Sequence, residues 1–183
     1  ALTMQVDIAI TDNDAPVYGA DGSDTSGTTG ETFDLSISVT DNIGVSDVYA
    51  EYWFGEGVHS NITMTGSGPY SLSINVPEDA QELHYIFRSS DTSGNWIATI
   101  QVDISIVDND APVLGVDGSD EGATTGETFT FTIGISDNID VTGSFVRYWF
   151  DNGITRNESM EGTGPYTLTV TIPGNVSGMQ YTF

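Results

Sequence analysis

The stretch TFDLSISVT (residues 32–40) alternates apolar and polar side chains without a break. Phe33, Leu35, Ile37 and Val39 fall on one face, with Asp34, Ser36 and Ser38 on the other. Successive side chains of an extended chain point to opposite faces, so this period of two predicts a half-buried strand. TFTFTIGIS (128–136) carries the same pattern 96 residues later, and that offset aligns the whole chain with itself without gaps. DNDAPV (12–17) returns at 108–113, DGSD (21–24) at 117–120 and TTGETF (28–33) at 124–129. Tyr52-Trp53-Phe54 returns as Tyr148-Trp149-Phe150, and Gly68-Pro69-Tyr70 as Gly164-Pro165-Tyr166.

Alternation continues on both sides of the opening stretch. Val48, Ala50, Tyr52 and Phe54 form one run, Tyr70, Leu72, Ile74 and Val76 another, then Leu83, Tyr85 and Phe87, then Ile100, Val102, Ile104 and Ile106. A weaker strand runs through Val58, Ile62 and Met64, and a short first strand covers 16–20. Gly, Asn, Asp and Pro turns separate the runs, and no stretch sustains a helical period. About seven short strands per repeat predict an all-β chain of two tandem immunoglobulin-like or fibronectin-III-like β-sandwiches. In that scheme A is 16–20, B 32–40, C 47–54, C′ 58–65, E 70–76, F 83–89 and G 97–106.

SDVYAEYWF (46–54), LHYIFRSSDTSGNW (83–96) and the two DNDAP runs resemble the tandem Ig-like repeats of archaeal or bacterial cell-surface and S-layer proteins. The resemblance covers the whole chain. DNDAP is also similar to the calcium-binding interdomain linker of cadherins, one Asn short. What this implies is an extracellular, cell-surface protein, with an archaeal source favoured.

MQVDIAI (4–10) matches IQVDISI (100–106), the segment that closes the first repeat. The expected organisation is therefore an orphan last strand (G) at 1–10, an Ig-like domain at 11–106 and a second at 107–183 without strand G. A strand with Met4, Val6, Ile8 and Ile10 on one face and a sandwich lacking its last strand complement one another. One reading is donor-strand complementation, residues 3–10 of one subunit completing domain 2 of the next. Such a head-to-tail contact is heterologous and builds an open filament. The other reading is a window cut from a longer array of repeats, in which strand G comes from the same chain.

Three Lys and Arg residues face 27 Asp and Glu, for a formal charge of −24, and the three are all Arg: Arg88, Arg147 and Arg156. That field repels nucleic acid and anionic lipid and attracts divalent cations. The hydrophobic content of 38% is patterned, which separates the chain from an acidic disordered tail. Cysteine is absent, and no apolar run approaches the roughly 18 residues of a membrane span. No nucleic-acid partner and no membrane insertion are expected.

Calcium takes six to eight hard oxygen ligands, and acidic loops at a domain end supply them. The candidates are Asp12, Asn13, Asp14, Asp41 and Asp91 at the top of the first repeat, and Asp108, Asn109, Asp110 and Asp137 at the top of the second. Asp21 and Asp24 of DGSD are further candidates, without the twelve-residue spacing of an EF-hand. The competing reading is that Asp and Asn serve turns. Calcium would stiffen the joint between repeats.

An enzyme is not expected. The acids recur in both copies within turns, His59 and His84 have no counterpart in the second repeat, and no G-x-S-x-G elbow is present. Trp53 and Trp149 take the face of strand C opposite the core, where packing under neighbouring strands is favoured over sugar stacking. Asn61, Asn157 and Asn175 head glycosylation sequons, the first two at matching positions. These features together predict an extracellular structural protein forming a filament or S-layer-like coat from copies of itself, with other surface proteins or glycans as further partners. The alternative is an adhesin stalk or carbohydrate-binding Ig-like module.

Overall fold

The structure, a computed structural model, describes residues 4–183, and Thr3 of the expected donor segment lies outside them. The described residues form sixteen strands and no helix. Two compact units divide the chain, the first ending at Asn109 and the second running Asp110–Phe183, so the division falls inside the second DNDAP run.

In the first unit TFDLSISVT is strand β3 (Thr32–Thr40), and its four apolar side chains are the buried ones, each 5% exposed or less. It lies between β1 (Val17–Asp21) and β7 (Tyr70–Asn75), with β6 (Thr65–Gly66) at the far edge. The facing sheet runs β2 (Gly27–Thr28), β10 (Val102–Val107), β8 (Glu82–Asp91), β4 (Val45–Phe54) and β5 (Ser60–Thr63), and β9 (Trp96–Ala98) also pairs with β8. Every pairing is antiparallel except β2 with β10. Phe33, Leu35, Ile37, Val48, Leu83 and Phe87 fill the space between the sheets, with Val102, Ile104 and Ile106 of β10 packed against them. Complete burial of each large apolar side chain contributes about 1.5–3 kcal/mol. This strand order, A-B-E against G-F-C-C′, is that of an Ig-like sandwich.

The expected strands recur with three differences. The two-residue strands β2 and β6 have no alternation of their own to reveal them; β2 exists because β10 lies beside it. Strand G is broken at Thr99, whose hydroxyl accepts from the Phe87 amide (3.0 Å) while its own amide donates to the Phe87 carbonyl (2.9 Å). In C′, Met64 is 4% exposed, whereas Val58 (92%) and Ile62 (42%) face outward and do not line the core.

The second unit repeats the plan with fewer strands: β11 (Val113–Asp117), β12 (Thr128–Ser136) and β15 (Tyr166–Thr171) in one sheet, β14 (Arg156–Ser159), β13 (Phe145–Phe150) and β16 (Met179–Thr182) in the other. Phe129, Phe131, Ile133, Val146 and Tyr148 form its buried core. Strand β16 corresponds to the first part of β8 and lies at an edge of its sheet. Glycine is required at 66 and 162, where φ is +131° and +127° and a Cβ would run into the carbonyl of Pro69 or Pro165.

Candidate functional site

Three carboxylates from distant parts of the sequence meet at one end of the first unit. Asp12 precedes β1, Asp41 follows β3 and Asp91 ends β8, and each has an oxygen within 4.8 Å of one on the others. Local hydrogen bonds aim each group. Asp41 Oδ1 accepts from the amides of Ile43 (2.9 Å) and Gly44 (2.8 Å), an Asx turn. Asp12 Oδ1 accepts from the Asp14 amide (3.1 Å) and from Asn42 Nδ2 (3.2 Å). Asp91 is buried and accepts from the amides of Ser93 and Asn95 and from Asn95 Nδ2 at 2.6 Å. Burial raises the Asp91 pKa, but hydrogen bonds from Asn95, Ser93 and Gly94 outweigh it and hold the group below the ordinary carboxylate range.

The second oxygens of Asp12 and Asp41 are buried with no hydrogen-bond partner. Buried acceptors are normally paired, and neighbouring like charges repel, so a cation is the natural complement. The donor set is three carboxylates, hard oxygen ligands of the kind calcium takes. Asn95 Nδ2 also donates to the carbonyls of Asp12 (3.3 Å) and Asp14 (3.0 Å), holding the DNDAP run against this end of the unit. Asn13 and Asp14 are exposed.

The DGSD acids are otherwise engaged. Asp21 Oδ1 accepts from the Ser23 amide and Oδ2 from the Tyr85 hydroxyl (2.9 Å), and Asp24 Oδ2 accepts from the Asp34 amide. The second repeat copies this: Asp117 receives the Tyr181 hydroxyl at 2.6 Å, and Asp120 the Thr130 amide. These acids are turn-forming and bind neighbouring strands. Asp137 reproduces the Asx turn of Asp41, accepting from the Ile139 and Asp140 amides.

Asp108 and Asn109 belong to the first unit, where they meet a residue that sequence reading did not single out. Thr29 is 2% exposed, its amide donates to the Val107 carbonyl (3.0 Å), and its hydroxyl lies 3.3 Å from Asp108 Oδ1 and 3.2 Å from Asn109 Oδ1. The signal lay in TTGETF, whose repetition shows only that the loop matters.

Met4, Val6, Ile8 and Ile10 are 74–94% exposed and belong to no strand. In the second unit an open cleft of about 460 Å³ is lined by Ala123, Phe129, Met179 and Tyr181 together with the acidic Asp117, Asp120 and Glu121. A smaller one of about 90 Å³ shares Ala123 and Met179 and reaches Phe150 and Ile172. In the first unit the corresponding position, between β2 and β8, holds β10.

Trp53 is 9% exposed, stacked on His59 (centroids 3.8 Å apart) and beside His84 (5.4 Å). His59 meets Glu51 at 2.8 Å, and Arg88 meets the other Glu51 oxygen at 2.7 Å; these hydrogen bonds lower the Glu51 pKa. Sequence reading assigned no role to Trp96, yet it is 56% exposed and stacked with Tyr49. Asn61, Asn157 and Asn175 are exposed. No helix of the described residues is long and apolar enough to cross a membrane.

No family model matches the chain. No curated protein matches it. Among solved structures, a titin fragment is 15% identical with a TM-score of 0.47, the match covering 90% of this chain and 86% of that one. The fibronectin(III)-like modules of Clostridium thermocellum CbhA are 17% identical with a TM-score of 0.38, covering 85% and 78%. The SrpA adhesin from Streptococcus sanguinis is 14% identical with a TM-score of 0.40, covering 72% and 94%. The assignment to an Ig-like sandwich rests on the strand order of the chain itself.

Proposed function

We propose that the protein is an extracellular structural subunit that builds a cell-surface filament or S-layer-like coat by head-to-tail strand donation. In this reading residues 3–10 of one copy fill the channel beside β16 of the next, and calcium stiffens the joints. The observation that carries the reading is the match between a segment and a space. Residues 6–10 match the start of β10 at all but Ala9, which stands for Ser105, with their apolar face exposed, and the second unit has an open cleft where β10 lies in the first. An edge strand beside an open cleft, its floor apolar at Phe129 and Met179 and its rim acidic at Asp117, Asp120 and Glu121, is a template for main-chain pairing.

Asp12, Asp41 and Asp91 are the calcium ligands favoured by geometry, through the unpartnered oxygens of the first two. Glycans at Asn61, Asn157 and Asn175 fit the exposure of those side chains. A second reading, a carbohydrate-binding surface module, is favoured by the exposed ring of Trp96, stacked on Tyr49 and lining a shallow pocket with Arg88.

Electron microscopy of the purified chain tests the main reading. Filaments are expected, and deletion of residues 1–10 should abolish them while leaving the first unit folded. Filaments that persist after the deletion would exclude strand donation, and monodisperse rods from the intact chain would exclude self-assembly.

A further inference from the structure

The first unit shows how a strand of this sequence is held, and that arrangement is more than a pair of strands. Strand β10 pairs with β8 as Val102 with Tyr85, Asp103 with His84 and Ile104 with Leu83. It then runs parallel to β2, with Ile106 opposite Gly27 and Val107 opposite Thr28. Beyond the strand, the DNDAP run is caught by Thr29, which bonds the Val107 carbonyl, Asp108 and Asn109. The clasp lies beyond the apolar packing of Val102, Ile104 and Ile106 and reads polar groups, so it fixes position along the strand in a way that apolar packing does not.

All components of the clasp recur. Thr125 stands in the second TTGETF where Thr29 stands in the first, and Asp12-Asn13 follows residues 4–10 as Asp108-Asn109 follows β10. Thr125 is exposed, whereas Thr29 is covered by the strand it holds. We propose that Thr125 is an acceptor site for Asp12 and Asn13 of a second copy, and that it sets the register of the donated strand. This inference rests on the strand-donation reading. The register that follows is Val6 opposite Tyr181, Asp7 opposite Gln180 and Ile8 opposite Met179, with the Thr11 carbonyl receiving the Thr125 amide.

Two details of the second unit bear on the fit. Gln180 replaces His84, whose ring meets Asp103 at 2.6 Å, and an amide serves the same purpose toward Asp7. Ala123 replaces Gly27. A Cβ at position 27 would lie 2.5 Å from Ile106 Cδ1, the far end of a flexible side chain, so Ile10 seats with that end turned aside. A one-residue slip is excluded because it would turn Val6, Ile8 and Ile10 away from the channel. A two-residue slip keeps the faces but moves Asp12 and Asn13 away from Thr125, and this is the alternative the clasp discriminates against.

The test uses the full chain, which has no native cysteine. Asp7→Cys with Gln180→Cys should oxidise to an intermolecular ladder, and Asp7→Cys with Thr182→Cys, two residues out of register, should not. In the first background Thr125→Val should weaken ladder formation roughly threefold to tenfold, as expected for loss of a hydrogen-bonding group. Thr125→Ser should restore it, with circular dichroism verifying that each variant is folded. Equal ladders from both cysteine pairs, or a Thr125→Val variant that cross-links like the parent, would overturn the clasp while leaving strand donation standing. Assembled protein that gives no ladder with either pair, or a cross-link closed within one chain, would overturn both.

Discussion

Asp41→Asn is expected to change the stability of the first unit in opposite directions with and without calcium. The substitution keeps the Asx turn, because Asn Oδ1 can accept from Ile43 and Gly44 as the carboxylate does. It replaces a buried, unpartnered oxygen with an amide that can donate to the neighbouring carboxylates. Two unit charges 4.8 Å apart, the reach of the Asp12–Asp41 pair, repel by about 3–4 kcal/mol at an effective dielectric near 20. Both residues keep some solvent contact even though one oxygen of each is buried, so screening reduces this and about 1–2 kcal/mol is the relief to expect. In chelator the variant should therefore melt higher, by roughly 5–10 °C for a unit of this size. In saturating calcium the order reverses, because the parent gains about 2.7 kcal/mol at a hundredfold excess over Kd, and the variant loses most of that gain with its ligand. Fluorescence melts in a Trp149→Phe background report the first unit alone, through Trp53 and Trp96. A variant that melts lower in chelator, with calcium moving neither protein, would refute the reasoning.

Two further outcomes follow from the interior of the first unit. Burial above all pushes the Tyr85 hydroxyl up to about 12, the Ser23 hydrogen bond opposing and the hydrogen bond and charge of Asp21 adding. An unfolded tyrosine titrates near 10, so the stability linked to Tyr85 is full below pH 10 and is lost as the pH rises toward 12, to the extent of about 2–3 kcal/mol. Tyr85→Phe should flatten that part of the profile in denaturant melts between pH 9 and 12, and an unchanged slope would contradict the assignment. Phe87→Ala empties a site 1% exposed at the centre of the core and should cost about 3–5 kcal/mol in urea unfolding, against under 0.5 kcal/mol for exposed Ile43→Ala.

Strands with a sustained period of two were legible from side chains alone: β3, expected at 32–40, spans Thr32–Thr40. Strands made by a neighbour were not. Gly27–Thr28 is extended because β10 runs beside it, and nothing within two residues can state that. Strand C′ misled because Val58, Ile62 and Met64 are all apolar, while at an edge only Met64 turns inward. For the acids, residue type and the convergence of Asp12, Asp41 and Asp91 at one end of the first repeat were both readable from the strand scheme; which oxygens are left without a partner was not. Asp12, Asp41 and Asp91 lie far apart in sequence and meet where the segment before strand A joins the B–C and F–G loops, whereas Asp21 and Asp24, the weaker candidates for want of EF-hand spacing, are taken by Ser23, Tyr85 and Asp34. Thr29 was out of reach because a hydroxyl in a loop has no pattern until its partner is in place.

Hydrogen exchange at residues 4–10 tests strand donation most directly. In the dissociated chain the amides of Val6, Ile8 and Ile10 should exchange at the rates of an unstructured peptide, as their exposure requires. On assembly they should become protected to the level of Val102, Ile104 and Ile106 in β10, while the second unit gains protection along Met179–Thr182. Assembled material in which residues 4–10 still exchange freely would contradict the account.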